Sequence, residues 1–268
     1  MKFSLPALLI ILISLSCNKT KDQTSYQLSY GNSIFYIKNN QEYFIYPIQT
    51  RDGTYEAFPD AGIDLDENSG AIRVKGDDNN IFTGLKYRII HKDPNGDTSS
   101  TVIMISGITY NDKFYNLSQN DSIAMPIYNG NALSNLPLAG SVFDDNNLAN
   151  SQGCSVKTTN GQINLAESVR NGLFGSIPQN DTRKDIKIDY KLNDESNKAQ
   201  NKIEVRLYYY NTMNDVAPDL LDTLNSRQSQ GVFLQMNNSL PINFTTSART
   251  TRTTFARPRP PCIIIIGQ

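Results

Sequence analysis

Asp93, Asn95 and Asp97 alternate with other residues in the pattern that opens a calcium-binding loop. Such a loop has glycine at its sixth position and glutamate at its twelfth, but this chain has Thr98 and Met104 there. Aspartate and asparagine also stabilise turns through their own side chains. We therefore expect no cofactor, with a calcium site at Asp93, Asn95 and Asp97 as the less favoured alternative.

Histidine chemistry is limited to His91, the one histidine of the chain, which stands two residues before this turn. No serine or cysteine nucleophile motif accompanies it, and the HExxH zinc pattern is absent. His91 is therefore expected to be an exposed strand-end residue. We predict that the chain is not an enzyme and has no catalytic residues. The least favoured alternative is a glycoside-active accessory protein, because the carboxylates of such a site are brought together only by the fold.

Cysteine supplies the most specific motif of the chain, Leu15-Ser16-Cys17. It follows Lys2 and an apolar run that is shorter than the roughly 20 residues needed to span a bilayer, as in a secretory signal. The motif resembles the lipobox of bacterial lipoproteins. That resemblance implies a signal peptide at 1–16, acylation of the Cys17 thiol with a lipid such as palmitate, and a polar tether at 17–27. Because Asn18 and not aspartate follows Cys17, it also implies an outer-membrane location, on the periplasmic face or at the cell surface.

The two remaining cysteines, Cys154 and Cys262, have two interpretations. The oxidising envelope would allow a disulfide between them. Alternatively, each is a small buried apolar residue. The second interpretation is favoured, since the two positions belong to different segments.

Composition excludes one class of partner. The chain has 268 residues, with 25 Lys and Arg against 26 Asp and Glu, so the net charge is −1. No positive field for a polyanion is expected from this balance. We predict that the protein does not bind nucleic acid.

Short β-branched or aromatic segments, bounded by Gly, Asn, Asp or Pro, follow from Leu28 onward. Their spacing of roughly eight to twelve residues is typical of a sandwich or barrel. Hairpin turns are predicted at 67–70 and at 93–97, where Gly70 and Asn95-Gly96 supply the turn chemistry.

An internal repeat runs through these segments. AGIDLDENSGAIRV (61–74) aligns without a gap with QGCSVKTTNGQINL (152–165), so that Gly70 matches Gly161. A second pair of strands, starting from Tyr87 and from Tyr190, follows in the same order. The repeat predicts two tandem modules, at 28–117 and 118–212.

The first module resembles the immunoglobulin-like and cadherin-like modules of bacterial surface proteins, such as Bacteroidetes-like outer-membrane lipoproteins. Phe58-Pro59, residues 62–65 and residues 69–72 carry the resemblance. It implies an all-β fold, with two tandem immunoglobulin-like β-sandwich modules, a short helix and an extended C-terminal tail. Such modules serve as spacers or binding units.

The segment after the second module changes character. Residues 213–234 are predicted to hold a short helix, at 218–227, and a linker. Residues 235–268 form a Pro-, Arg- and Thr-rich tail that ends in Cys262 and four isoleucines. An exposed isoleucine run would aggregate, so we expect it to be buried. A slot in the chain's own sheet is favoured, and donation to the sheet of a neighbouring subunit is the alternative.

Two further features are weaker. Tyr208 and Tyr210 should share one face of a strand and Tyr209 the other, and a place in the core is favoured over an exposed ligand platform. Ser122 and Thr223 follow aspartate in the short pattern that resembles O-glycosylation sites of the Bacteroidetes envelope.

These observations predict a lipid-anchored cell-envelope protein that acts in adhesion or in binding a protein or glycan ligand. The alternative is a structural spacer or an assembly subunit that donates its C-terminal strand. A binding protein should have an exposed aromatic patch on one of its modules, whereas a spacer should have smooth, charged module surfaces.

Overall fold

The structure, a computed structural model, describes residues 26–78, 80–131, 139–229 and 261–267. The fold is all-β, as the sequence predicts. The strands of the first module are β1 (Ile34–Phe35), β2 (Glu42–Ile45), β3 (Thr54–Phe58), β4 (Asp64–Leu65), β5 (Ile72–Lys75), β6 (Lys86–Lys92) and β7 (Thr98–Ile105). Those of the second are β8 (Ile108–Tyr110), β9 (Lys113–Asn116), β10 (Ile123–Ala124), β11 (Pro126–Tyr128), β12 (Val142–Phe143), β13 (Ser155–Val156), β14 (Ile163–Asn164), β15 (Thr182–Lys191), β16 (Gln200–Tyr210) and β17 (Cys262–Ile266). The helices are α1 (Leu165–Arg170) and α2 (Pro218–Ser229).

Each module packs two main sheets around its own core. In the first, sheet β1-β7-β6-β3 faces sheet β2-β5-β4, and alternate residues such as Ile72, Val74 and Ile89 are fully buried between them. In the second, sheet β12-β15-β16-β17-β9 and sheet β10-β14-β13 enclose a core that includes Ile163 and Val205. The pair β11-β8 adds to the second core.

The two cores divide the chain earlier than the sequence suggests. Ile105 belongs to the first core, and Ile108, Tyr110 and Tyr115 belong to the second. The predicted boundary at 117 places β8 and β9 in the first module, yet their pairing partners are β11 and β17. The pattern of short apolar segments carries no information on which core a strand joins.

The hairpin repeat is present in the structure with identical register. Leu65 pairs with Ile72 in the first module, and Val156 pairs with Ile163 in the second. Gly70 and Gly161 close the two turns with φ of 71° and 70°, a left-handed backbone that favours glycine. Turn chemistry at Gly70 predicted the first hairpin, and the repeat predicted the second.

The second part of the repeat has a different register from the predicted one. Strand β15 ends at Lys191 instead of starting at Tyr190, so Tyr190 matches His91 and not Tyr87. His91 pairs with Tyr55 across β3 and β6, as Tyr190 pairs with Phe143 across β12 and β15. The expectation that His91 is exposed is wrong, because it occupies a core position and is 1% exposed.

Two helices cover parts of the second module. Helix α1, which the sequence analysis missed, starts after Asn164, whose side chain caps it by accepting the N–H of Glu167. Helix α2 agrees with the predicted short helix. Its residue Leu224 packs with Tyr208 and Tyr210 on the outer face of the large sheet, so these tyrosines line a core as expected.

The terminal strand β17 lies inside the large sheet of the second module. It is parallel to both neighbours, β16 and β9, and all five of its residues are buried. The favoured prediction, a slot in the chain's own sheet, is thus what the structure contains. The tail between residues 235 and 260 lies outside the described residues.

Candidate functional site

Strand β2 of the first module and the three residues after it carry a row of exposed apolar side chains. Phe44, Tyr46 and Ile48 are 49%, 58% and 66% exposed. They alternate with Tyr43, Ile45 and Pro47, which are half-buried or buried. Successive strand residues face opposite ways, so the three exposed side chains share one side. We call this row and the outward residues beside it the β2 face.

Charged residues of β5 and β4 continue the β2 face. Phe44 lies opposite Arg73 in the pairing of β2 with β5. The guanidinium of Arg73 contacts Asp64 at 2.5 Å, Glu42 at 3.1 Å and Asp78 at 3.1 Å. One arginine thus joins three carboxylates directly beside the exposed rings.

Hydrogen bonds favour the charged forms of Arg73 and Asp78 through their effect on the pKa of each group. The hydrogen bond to Asp64 raises the pKa of Arg73 above its usual value. The hydrogen bond from the backbone N–H of Asn80 lowers the pKa of the Asp78 carboxyl, and the nearby charge of Arg73 lowers it further by a smaller amount. Lys75 also contacts Glu42, at 3.8 Å, so two cations face three carboxylates and the β2 face has a small excess of negative charge beside its hydrogen-bonding groups.

A polar cleft adjoins the first residue of β2. It encloses about 570 Å³ and is lined by residues 38–42, residues 75–77 and Gln200. Gln200 belongs to the second module, so the cleft lies where the two modules meet. Glu42 belongs to both the cleft and the Arg73 cluster, which makes the cleft and the β2 face one continuous surface.

A buried polar joint fixes the two walls of this cleft. The side-chain amide of Asn201 donates to Thr83 at 3.0 Å and to the Tyr190 hydroxyl at 2.8 Å. Asp194 accepts from Ser106 and from Tyr128, both at 2.9 Å. Thr83, Asn201 and Tyr190 are each buried, and the contact of Asn201 with Thr83 links the second module to the first.

The second module provides a natural comparison for the β2 face. Its strand β10 pairs with β14 as β2 pairs with β5, which places Ile123 opposite Asn164 where Phe44 lies opposite Arg73. Met125, which is 43% exposed, then matches Tyr46. The corresponding face therefore has neither the aromatic rings nor the arginine.

The residues that the sequence nominated for calcium form a turn. Oδ1 of Asp93 accepts the backbone N–H groups of Asn95 and Asp97, each at 2.9 Å. Across the described ranges, no three His, Cys, Asp or Glu side chains are grouped so that they could hold a metal ion. The absence of a cofactor stays the prediction, with calcium at this turn as its less favoured alternative.

Cys154 and Cys262 are both buried, and neither forms a disulfide. They belong to different cores on opposite faces of the large sheet, which excludes the paired alternative in this structure. Burial raises the pKa of the Cys154 thiol to about 12, so the thiol is neutral and unreactive.

The modification sites remain predictions. Cys17 lies outside the described residues, as do the signal peptide and most of the tether. Ser122 is half-buried just before β10, and Thr223 lies within α2. In the part of the chain that is described, no helix has the length and apolar character to cross a membrane.

The sequence analysis missed the β2 face for a specific reason. Residues 43–48, YFIYPI, are all apolar or aromatic, so the pattern does not reveal which side is buried. The available signal was Glu42 at the start of the strand, because outward positions then continue at Phe44 and Tyr46.

Comparison with known proteins finds no matching family model and no matching curated protein. Among solved structures, Drosophila N-cadherin EC1-4 shares 12% identity over 69% of this chain and 49% of its own, with a TM-score of 0.21. A SusE-like surface-located polysaccharide-binding protein of the Bacteroides thetaiotaomicron heparin utilisation locus shares 12% over 70% and 35%, with a TM-score of 0.24. The D00-D0 domain of intimin shares 12% over 66% and 98%, with a TM-score of 0.23. The chain spans about half or less of the cadherin and SusE-like chains.

Proposed function

We propose that this chain is a lipid-anchored protein of the cell envelope that binds a neutral glycan without acting on it, through the β2 face. The observation that carries the proposal is the exposed row of Phe44, Tyr46 and Ile48. An exposed aromatic patch is the feature that separates a binding module from a plain spacer. Single exposed apolar side chains are common on protein surfaces, but neighbouring ones that form a patch mark a binding site more often.

A glycan suits the chemistry of this face. Aromatic rings present flat apolar surfaces that stack on the apolar side of a sugar ring, while carboxylates, guanidinium and amides bond its hydroxyl groups. The cleft supplies Asn39, Asn40, Gln41 and Gln200 for such contacts. A neutral ligand is favoured over an anionic one because carboxylates outnumber the cations around Arg73.

The lipid anchor places this face in the envelope. Its support is the Leu15-Ser16-Cys17 motif, followed by a polar segment that reaches the first described residue, Tyr26. The backbone N–H of Leu28 donates a hydrogen bond to the Ser99 hydroxyl at 2.8 Å, and Ser99 lies near the start of β7. The chain therefore enters the first module at its β6–β7 hairpin end, and the second module lies beyond the opposite end.

The decisive experiment compares two variants of the full chain, purified from membranes, on an array of neutral glycans. Phe44→Ala combined with Tyr46→Ala should weaken binding about fivefold or more, because each lost ring contact contributes about 0.5–1.5 kcal/mol. Met125→Ala, at the matching position of the second module, should leave binding unchanged. Equal binding by both variants, or no binding of any neutral glycan by the unaltered chain, would contradict the proposal.

A second candidate, a structural spacer, is favoured by one observation. The buried Asn201–Thr83–Tyr190 contacts make the two modules a stiff pair. A spacer needs that stiffness and does not need the exposed rings. Substituting Phe44 and Tyr46 would then leave every cellular phenotype of the protein intact, whereas a loosened joint would not.

A further inference from the structure

The terminal strand β17 fills a seam between β9 and β16. Its register sets Ile263 beside Leu207 on one side and Lys113 on the other. Ile263 and Ile265 enter the main core of the second module, while Cys262, Ile264 and Ile266 pack under helix α2. A strand that is buried on both faces is characteristic of the interior of a parallel sheet.

The first module shows what this seam looks like without an inserted strand. There β1 pairs directly with β7, in parallel, with Phe35 beside Ile105. Aligning the β6–β7 and β15–β16 hairpins matches Ile105 with Leu207, the residue that β17 pairs with through Ile263. Strand β17 therefore occupies the place that β1 has in the first module.

Chain order identifies a different counterpart of β1. The hydroxyl of Tyr30 donates to the Gly70 carbonyl at 2.7 Å, and that of Tyr110 donates to the Gly161 carbonyl at 2.6 Å. Strand β1 begins four residues after Tyr30, and β9 spans the equivalent position after Tyr110. In the order of strands along the sequence, β9 is therefore the counterpart of β1. In the sheet, β17 lies between β9 and β16.

We infer that the seam between β9 and β16 is a strand-binding site, and that the β17 segment of a second copy of this chain can occupy it. When β17 leaves, β9 can close onto β16 as β1 does onto β7. The side-chain directions agree, since Tyr115 already faces the main core and Phe114 already packs under α2. The emptied seam thus has a closed form, which lowers the cost of releasing the strand.

A second copy is the occupant that the seam fits. Only an apolar segment such as residues 262–266 satisfies both buried faces, and the N–H of Cys262 donates to Oδ1 of Asp112 at its start. No hairpin ties β17 to either neighbour, because it is parallel to both. Residues 230–260 form its covalent connection to α2, and roughly 30 residues reach about 100 Å when extended. Exchange of an identical element is a low-cost route to assembly.

Local concentration decides between the two occupants. The covalent connection to α2 presents β17 to its own seam at an effective concentration of roughly the millimolar range. Exchange therefore requires copies held at a similar density, which side-by-side anchoring in a membrane supplies. This step alone rests on the lipid anchor of the proposed function.

The test uses two full-length chains with different affinity tags, each carrying Cys262→Ala. One carries Phe114→Cys and the other Ile264→Cys, positions that pair across β9 and β17. Co-expressed in one cell, they form a disulfide-linked heterodimer only if the strand of one copy enters the seam of the other. Phe114→Cys with Val102→Cys, an exposed position on β7, is the control for random collision. The chain that carries both Phe114→Cys and Ile264→Cys reports insertion into its own seam.

The same pair is also refolded together as Cys17→Ser chains at about 1 mM, the effective concentration that the covalent connection gives. More heterodimer than in the collision control, either in cells or after refolding, supports strand exchange. A heterodimer that forms only after refolding would show that exchange occurs but that the lipid anchor does not promote it. Internal disulfide in the double variant with no heterodimer in either setting would overturn the inference.

A second measurement tests closure of the seam. In the chain that lacks residues 258–268, amide hydrogen exchange should show continued protection of Tyr115 and Leu207, because β9 pairs with β16. Rapid exchange at Tyr115 in a module that is otherwise protected would show that closure does not occur.

Discussion

His91 occupies in the first module the position that Tyr190 occupies in the second. Each pairs across the sheet with an aromatic residue, Tyr55 for His91 and Phe143 for Tyr190. The ring centroids of His91 and Tyr55 lie 4.8 Å apart, and those of Tyr190 and Phe143 lie 6.3 Å apart. The buried histidine is therefore one member of an aromatic pair that both modules use.

The turn glycines below these pairs should be sensitive to substitution. A Cβ atom at Gly70 would lie 2.7 Å from the Tyr55 ring, and one at Gly161 would lie 2.6 Å from the Phe143 ring. Both glycines also have positive φ. Gly70→Ala or Gly161→Ala should each lower the free energy of unfolding by about 1–3 kcal/mol, measured by urea titration.

Gly96→Ala is the matched control. Its φ is also positive, but an added Cβ would meet nothing within 4 Å. It should cost about 1 kcal/mol or less, the contribution of the backbone alone. If all three variants lost the same stability, the ring contacts would not be the cause.

Asn201→Ala should weaken the joint between the modules. The change removes the amide that donates to Thr83 and Tyr190 and the oxygen that accepts the Asp77 N–H at 3.3 Å. Losing buried hydrogen bonds of this kind costs about 1–3 kcal/mol. Calorimetry should show a lower melting temperature, with the single transition broadening as the modules uncouple. Asn68→Ala, on an exposed turn, should change neither quantity.

Alkaline pH should destabilise the protein. Burial raises the pKa of Cys154, Tyr26 and Tyr115 to about 12 each, from ordinary values of 9.0 for cysteine and 10.0 for tyrosine. A group whose pKa is raised by folding contributes its full stability below the unfolded pKa and loses it as the pH rises towards the folded one. The free energy of unfolding should therefore fall between about pH 9 and pH 12.

Urea titrations at several pH values test this, with two variants as controls. Cys154→Ala should reduce the loss that begins near pH 9, and Tyr115→Phe should reduce the loss above about pH 10. A free energy of unfolding that stays level up to pH 12 would contradict the burial of these groups.

Calcium removal should leave stability unchanged. Oδ1 of Asp93 is already engaged by the N–H groups of Asn95 and Asp97. We expect equal melting temperatures in EDTA and in calcium, and Asp93→Ala should cost about 1 kcal/mol in both. A melting temperature that rises with calcium and loses that rise in Asp93→Ala would instead show a bound ion.

Cys17→Ser should release the protein from the membrane. The thiol of Cys17 is the group that the lipobox resemblance assigns to acylation. In cells labelled with palmitate, the unaltered chain should take up label and sediment with membranes, while the variant should do neither. Cys154→Ala should retain both properties. Absence of label from the unaltered chain would refute the anchor.

The fold could be predicted where the determining chemistry is local. Gly70, Gly161 and the Asp93 turn fix hairpins through backbone conformation and short-range hydrogen bonds, so their residue types suffice. The helix at 218–229 could be read from Leu220, Leu221 and Leu224 in the same way.

The rest depends on contacts between distant residues. The insertion of Ile263 between Leu207 and Lys113 joins segments that no turn connects, so no local pattern encodes it. Histidine has no strong preference for the interior or the surface, so the burial of His91 depends on its aromatic partner Tyr55. The candidate site shares this difficulty, since only the pairing of β2 with β5 decides that Phe44 faces outward.

The position of β17 in the sequence also determines when during synthesis the second module can be completed. Asp112 and Cys262, which meet at the edge of the seam, are separated by 150 residues along the chain. The ribosome completes the first module, then the strands of the second, and makes β17 only after a further stretch of chain. Because domains fold in the order of their synthesis and distant contacts form slowly, the second module is without β17 during most of translation, and β9 can close onto β16 in that interval. The inserted form of the seam can therefore arise only after β17 has been made, when the other strands of the second module are already present.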